Sequence, residues 1–492
     1  MKLYRRLNAT QSKDFWIKVC VNPYFFIIMY FILRTPNTRT GLNDLFEFRQ
    51  TQTAWGIREV EEHGLNLFHL PLPILGKPFQ VPFEFPIFQN IAGLIGHFFS
   101  LSPSTAGRLT SLIFYCLSAM MLVVLSRRVL PNSRIELFLP LLLLTPYALE
   151  WSDACLIEST AIFFLLAFLI FLNEYLVKGS WYFLMLCSPA LAFAALIKIT
   201  TAIPLAVVFS AFLIVHRRQT RKLLNNILIF VVLSFSLLPT LLWTEFADHV
   251  KRLSVWTNWL TSAALTTWNF GTPASRVVFK NWAAIGARIW ILGGFATLFS
   301  LYFLWKSRKN FSAWLLFLAV ISPIMTFFNL YVVHDYYYLA IIFFLIFSFD
   351  FYATIQIKRL RIEVMLGFIV ASLILSWAIQ IPQRNYVDAL TSSRSSVPEL
   401  SQIIANNTKP SDEVMVVGCD WDPTVLYFAN RNGIAAPVAD GDLKAVLTKL
   451  YESSNRDEIG YIATCSDVEI SPHLAHYQLK KIAPQLYKLE IQ

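Results

Sequence analysis

Charge is scarce in this chain. Asp, Glu, Lys and Arg supply only 15% of its 492 residues, against about 25% in a soluble domain. Its six cysteines make no framework. Cys20, Cys116 and Cys187 fall inside apolar runs, where Cys is a small hydrophobe; Cys155 ends such a run, and only Cys419 and Cys465 stand in polar sequence. That excludes a secreted disulfide scaffold. There is no internal repeat, no low-complexity tract and no Gly-rich phosphate loop. No small-residue cleavage site follows the first basic cluster (Lys2, Arg5, Arg6, Lys13, Lys18), so the first apolar run reads as an uncleaved span.

What is present is apolar surface. Hydrophobic residues make 56% of the chain, with 42 Phe and 14 Trp, and the mean hydropathy is +0.53. A soluble globule could not hide this much, which excludes a cytosolic enzyme or a disordered chain. The length allows about ten bilayer crossings of about 20 residues each, plus one small soluble domain. The net charge of +10 suggests nucleic acid until it is mapped; it then becomes a topology signal, and nucleic acid is not an expected partner.

Eleven spans are expected, near 19–34, 106–125, 136–149, 157–173, 181–197, 200–215, 224–244, 286–305, 311–328, 339–355 and 363–380. The pair at 181–215 reads as a hairpin with almost no loop. With the N-terminus inside, the inner loops hold Arg127, Arg128 and Arg134; Lys178; Arg217, Arg218, Arg221 and Lys222; Lys306, Arg308 and Lys309; and Lys358, Arg359 and Arg361. An alternating assignment that gathers every basic cluster on one face obeys the positive-inside rule. The outer face then owns the long stretches 35–105 and 245–285. The second holds Trp256, Trp259, Trp268 and Trp282, and both read as helices lying in the membrane interface. The tail, 381–492, regains charge and carries strand-like runs at 414–418 and 460–464, a small outer α/β domain. If those strands are parallel neighbours, Cys419 and Cys465 meet at their ends; a disulfide and two free thiols both remain open.

Ionisable residues near membrane depth are costly and therefore functional suspects. On a helix after Asn43, Glu47, Gln50, Thr51, Ala54 and Arg58 share one side. Asp44 with Glu47 three residues on also resembles a capping box, with Gly64 at the helix end. Asp153 and Glu158 lie in the next outer loop. Glu158 opens an apolar span, either serving the helix dipole or facing a wet cavity. Lys198 sits at the outer turn of the tight hairpin, against the charge rule. It either snorkels or holds a phosphate near the membrane surface. His334, Asp335, Tyr336, Tyr337 and Tyr338 open a later span, as an aromatic belt or as partners for a sugar or phosphate. Glu84, between Pro82 and Pro86 in a stiff loop, reads as a solvated acid or part of the site. Two carboxylates and one His are too few and too dispersed to indicate a metal site, so no cofactor is assigned and a divalent metal stays open. Glu47, Glu158, Lys198 and His334 are expected to line one hollow on the outer face.

These residues resemble the integral-membrane glycosyltransferases of the GT-C superfamily, family 39, which include protein O-mannosyltransferases and the aminoarabinose transferase that modifies lipid A. The likeness runs over roughly 1–380. Phe46-Glu47-Phe48-Arg49, continuing Gln50-Thr51-Gln52-Thr53-Ala54, stands where the family has an acidic motif followed by Arg. Only one of the usual two acids is present. Glu84-Phe85-Pro86 is similar to the family's Glu-Lys-Pro loop with Phe85 in place of the lysine; either Lys77 substitutes or that phosphate contact is missing. Arg108, Glu158, Lys198 and the segment from His334 to Tyr338 each match a family position. The implied fold is an α-helical polytopic membrane protein of GT-C type, about eleven transmembrane helices in 1–380, with interfacial helices and an α/β domain in 381–492.

The implied activity is transfer of a hexosyl or pentosyl group from a polyprenyl-phosphate-linked sugar to a glycan, lipid or protein acceptor at the outer face of the plasma (inner) membrane. Glu47 would be the base and Arg49 would hold Glu47 or the sugar. Lys198 would hold the carrier phosphate, and Asp153, Glu158 and His334 would orient donor or acceptor. With a phosphate acceptor, Glu47 would only position groups. Asp44, Gln50, Glu84, Arg108, Asp335 and Tyr337 complete the expected binding set. The tail's Trp421, Asp422 and Tyr427 either bind acceptor or form a structural cap. Two rival classes stand beside the enzyme. A flippase of lipid-linked sugars would carry polar residues to midplane, and a non-catalytic homologue would only bind glycans.

Overall fold

The computed structural model describes residues 22–44, 46–217, 223–293, 295–356, 362–383, 397–436, 443–465 and 473–491. The basic residues Lys2, Arg5, Arg6, Lys13, Lys18, Arg218, Arg221, Lys222, Lys358, Arg359 and Arg361, and Cys20, lie outside them. The protein is an integral membrane protein. Five described helices are long and apolar enough to cross a bilayer: Pro103–Val129, Glu158–Lys178, Trp181–His216, Ile227–Arg252 and Asp335–Ile355. The chain forms two compact units. The first comprises Met1–Thr38, Arg108–Leu241 and Thr266–Tyr386; the second comprises Arg39–Gly107, Leu242–Leu265 and Val387–Gln492. One division, after Tyr386, falls close to the composition change at 381, and 39–107 and 242–265 cluster with the tail.

In the first unit the Glu158–Lys178 helix ends at Gly179, whose φ of +76° suits a residue without Cβ. The chain then re-enters a helix at Trp181 and runs back along its predecessor. Helical geometry continues to Lys198, where φ −153° and ψ 79° break it, and resumes to His216. Contacts at the two ends show that this break reverses the chain. Lys198 meets Glu158 at one end, while Arg217 donates from Nε to Asn173 Oδ1 at 2.9 Å and binds the Arg128 carbonyl at the other. Residues 181–197 and 199–216 thus form the hairpin expected from the sequence. Glu158 and Lys178 stand about 30 Å apart along their helix at 1.5 Å rise per residue. The unit consequently has two chemically distinct ends. One gathers Arg128, Lys178 and Arg217 around Glu174, with Arg127 beside Glu136; the other holds Glu158 and Lys198.

Other expected spans are interrupted. The stretch 136–149 divides into Ile135–Leu143 and Pro146–Trp151. Pro140 removes a helical donor, and the Thr145 side chain caps the second piece by accepting from the Ala148 amide at 3.2 Å. The stretch 311–328 divides at Phe327 into Phe311–Thr326 and Phe328–Val333, just after Pro323. The region 286–305, by contrast, is helical at every described residue, over Phe279–Gly293 and Phe295–Lys306.

The second unit holds a six-stranded sheet of β1 (Glu413–Val417), β2 (Gly433–Ala436), β3 (Ile459–Thr464), β4 (His473–Leu474), β5 (Tyr477–Ala483) and β6 (Leu486–Ile491), in the order β2-β1-β3-β6-β5-β4. β1 runs parallel to β2 and β3, and an antiparallel β6–β5–β4 meander completes the sheet. Val414, Met415, Val416, Ile434 and Ile462 bury its centre. Gly433 is demanded by close approach: a Cβ there would stand 1.8 Å from the Val414 carbonyl oxygen. The segment 73–76 extends the sheet beyond β2. Gly433 and Ala435 donate to the Pro73 and Ile74 carbonyls at 3.1 and 2.7 Å. Cys419 and Cys465 follow the parallel neighbours β1 and β3 and form a disulfide.

Candidate functional site

The Glu158–Lys198 end of the first unit is built where helices begin or break. Glu158 is the first residue of its helix, and Lys198 is the reversal point of the next. Lys198 Nζ lies 3.0 Å from Glu158 Oε1, with the two side chains 2% and 4% exposed. Glu158 Oε2 and the Thr200 hydroxyl are buried without a hydrogen-bond partner among the described residues. The ammonium also stands 4.5 Å from the centroid of the Tyr337 ring and 5.6 Å from that of Tyr336, cation–π range. His334 stacks on Tyr337 at 5.7 Å. Glu158, Lys198, His334 and Tyr337 thus form one cluster.

Around it, two acids are engaged by arginines that the sequence reading did not assign to the site. Asp153 is fully buried and accepts from Arg34 Nη2 at 2.6 Å, while its carbonyl accepts from Arg108 Nη1 at 3.3 Å. Asp153 and Arg108 therefore tie the Pro23–Arg34 helix and the Pro103–Val129 helix to the turn after residue 151. Asp335 pairs with Arg288, and its carbonyl accepts from the Tyr147 hydroxyl. Arg34 and Arg288 carried one available signal, a cation at an apolar helix, which the counting of loop charges passed over.

Glu47 belongs to the second unit. It is the first residue of the Glu47–His63 helix. The capping box is not formed. The residue before the helix is Phe46, in the left-handed region at φ +56° and with no side-chain cap; Asp44 instead accepts from the Gln50 amide. Burial pushes the Glu47 carboxyl above its ordinary range, and the neighbouring Asp422 and Asp44 charges add to the rise, against a lowering backbone hydrogen bond. A half-buried carboxylate with raised proton affinity is equipped to accept a proton near neutral pH.

Arg49 does not hold Glu47. It pairs with Glu84 and also reaches Gln52, so Glu84 is not a solvated loop acid. Lys77 does not supply the lysine missing at Phe85. Its ammonium sits 3.2 Å from Glu413 and 2.9 Å from Glu458, on the sheet. Trp421 packs against Phe48 and Phe83 at 4.6 and 5.7 Å. Tyr427 is buried, with the Arg58 guanidinium 4.3 Å over its ring, a packing role. Among the described residues no group of three or more His, Cys, Asp or Glu side chains is placed to hold a metal ion.

No family model and no curated protein sequence matches this chain. Solved structures do. ArnT from Cupriavidus metallidurans bound to undecaprenyl phosphate superposes with a TM-score of 0.60 at 13% identity, over 94% of this chain and 97% of that one. The same protein in the apo state gives 0.52 at 14% identity over 98% of each. The apo oligosaccharyltransferase of Archaeoglobus fulgidus gives 0.50 at 12% identity, over 90% of this chain and 70% of that one. These neighbours are glycosyltransferases of the GT-C fold, and this chain has that fold.

Proposed function

We propose that this protein is a glycosyltransferase that moves a hexose or pentose from a polyprenyl-phosphate-linked donor to a glycan, lipid or protein acceptor at the outer face of the plasma (inner) membrane. The observation that carries the reading is Lys198, a buried ammonium at a helix reversal, flanked by Tyr336 and Tyr337. The opposite end of the unit holds Arg127, Arg128, Lys178 and Arg217, and the positive-inside rule assigns such an end to the cytoplasm. Lys198 then belongs to the outer leaflet, the N-terminus lies inside, and the sheet domain lies outside. A buried cation there, held in place by Glu158, suits the phosphate of a lipid carrier, the class of ligand named for the ArnT structure that shares this fold.

In this mechanism Glu47 takes the proton from the attacking acceptor hydroxyl. The new bond forms at the anomeric carbon as the bond to the phosphate oxygen breaks, with inversion. The carrier phosphate leaves as an anion, and Lys198 stabilises the charge that develops on it. Glu158 fixes the ammonium. Asp44 and Gln50 bond one another beside Glu47, and the Arg49–Glu84 pair ties the 84–86 loop to the Glu47 helix. His334, Tyr337 and the Arg288–Asp335 pair shape the wall around Lys198, and Arg108 with Asp153 frames it.

The test is transfer in lipid nanodiscs from polyprenyl-phosphate sugars, after lipid mass spectrometry of a deletion strain has shown which carrier-linked sugar accumulates. Glu47→Gln is expected to abolish transfer while donor binding persists, and Lys198→Met to weaken donor binding. Wild-type protein that moves lipid-linked sugar across liposomes without ever transferring it would replace this reading with a flippase.

A further inference from the structure

The end of the first unit remote from Lys198 carries a separate cleft of about 890 Å³. His216, at the end of the returning hairpin half, residues 305–312 and Ile355 bound it. Its lysines and arginines are Lys306, Arg308 and Lys309, and no acid lines it among the described residues. Three acids of this unit are engaged by other groups. Glu174 binds Arg128 and Lys178, Glu136 stands 3.8 Å from Arg127, and Asp350 accepts from the Ser133 hydroxyl and the Arg134 amide at 2.6 and 2.7 Å. Lys306 and Arg308 instead flank one ring, 5.1 and 5.3 Å from the centroid of Trp305.

The cleft is also amphipathic. Leu301, Tyr302, Trp305 and Phe311 are exposed large apolar side chains beside it. Concentrated positive charge calls for an anion, and the aromatic and aliphatic rim calls for hydrocarbon on the same molecule. A free phosphate would use only the first. We propose that this cleft binds the headgroup of an anionic phospholipid, with its phosphodiester on Lys306, Arg308 and Lys309 and its acyl chains along Leu301, Trp305 and Phe311. Basic pockets between helix ends in membrane proteins suit such headgroups. The inference requires only that the chain spans a membrane, and is independent of the roles given to Glu47 and Lys198.

Native mass spectrometry of the full-length protein, delipidated in detergent and offered equal phosphatidylglycerol and phosphatidylcholine, tests it. Wild type is expected to retain phosphatidylglycerol preferentially. The triple variant Lys306→Gln, Arg308→Gln, Lys309→Gln should lose about tenfold or more of that preference. Lys306→Arg with Lys309→Arg should keep it, which separates loss of the site from loss of the fold. Lys178→Gln, which removes a cation of the same end outside the cleft, should also keep it. Equal retention of the two lipids by wild type, an undiminished preference in the triple variant, an equal loss in Lys178→Gln, or displacement of the lipid by millimolar inorganic phosphate would each overturn the proposal.

Discussion

Lys198 Nζ and Glu158 Oε1 stand 3.0 Å apart, both almost wholly out of contact with solvent. They are joined because the chain reverses at Lys198 and brings the turn against the first residue of the preceding helix. Taking either ion from water alone costs several kcal/mol, and the partner offsets this only while it is present.

Glu158→Gln should therefore cost about 3–5 kcal/mol by leaving the ammonium buried without its carboxylate. The double variant Glu158→Gln, Lys198→Met should recover most of that loss, yet show none of the donor binding proposed for Lys198. Thermal unfolding in detergent and donor titration read the two effects separately. A double variant no more stable than Glu158→Gln would show that the pair is not the dominant local interaction.

Glu47 makes a prediction about pH. Its carboxyl is raised first by burial and then by Asp422 and Asp44, and a base works only when ionised. Transfer should thus rise with pH through an acid limb lying above the ordinary carboxylate range. Asp422→Asn removes a like charge, so the limb should move to lower pH while the plateau at higher pH persists. A pH profile of kcat/KM for both proteins checks the direction.

Glu61 concerns stability. Burial raises its carboxyl to about 7, with Glu62 adding to the effect and Arg58 opposing it, and its Oε1 is buried with no hydrogen-bond partner among the described residues. Because the folded state holds this proton more tightly than the unfolded chain does, its contribution favours folding at low pH. That contribution fades as pH rises from about 4.5 towards about 7. Glu61→Gln should flatten this dependence, and melting temperatures measured across the interval should converge at low pH and separate above it.

The Cys419–Cys465 disulfide closes a loop with a sequence separation of 46. Replacing both residues with serine should cost about 2–4 kcal/mol. Reductant should lower the stability of the wild type and leave the double variant unmoved. Equal sensitivity in both proteins would locate the effect elsewhere.

Several features were legible before the fold. The tight hairpin followed from two apolar runs meeting at Lys198, and the strands before Cys419 and Cys465 followed from two short apolar runs, while their parallel pairing came only with the fold. Local pattern misled where backbone conformation intervened. Asp44 and Glu47 have capping-box spacing, but the left-handed Phe46 starts the helix too late for it. Pro140 and Pro323 lie within runs that hydropathy alone reads as continuous spans.

The sequence by itself determined a membrane-spanning chain and the short list of costly acids. These are properties of composition and period, carried by neighbouring residues and by transfer from water to hydrocarbon. Only the tertiary structure decided which charges meet. Arg49 chose Glu84, Lys77 chose Glu413 and Glu458, and Arg34 chose Asp153. An ion pair depends on a few ångströms between segments far apart in the chain, and that distance exists only once the helices and the sheet have packed.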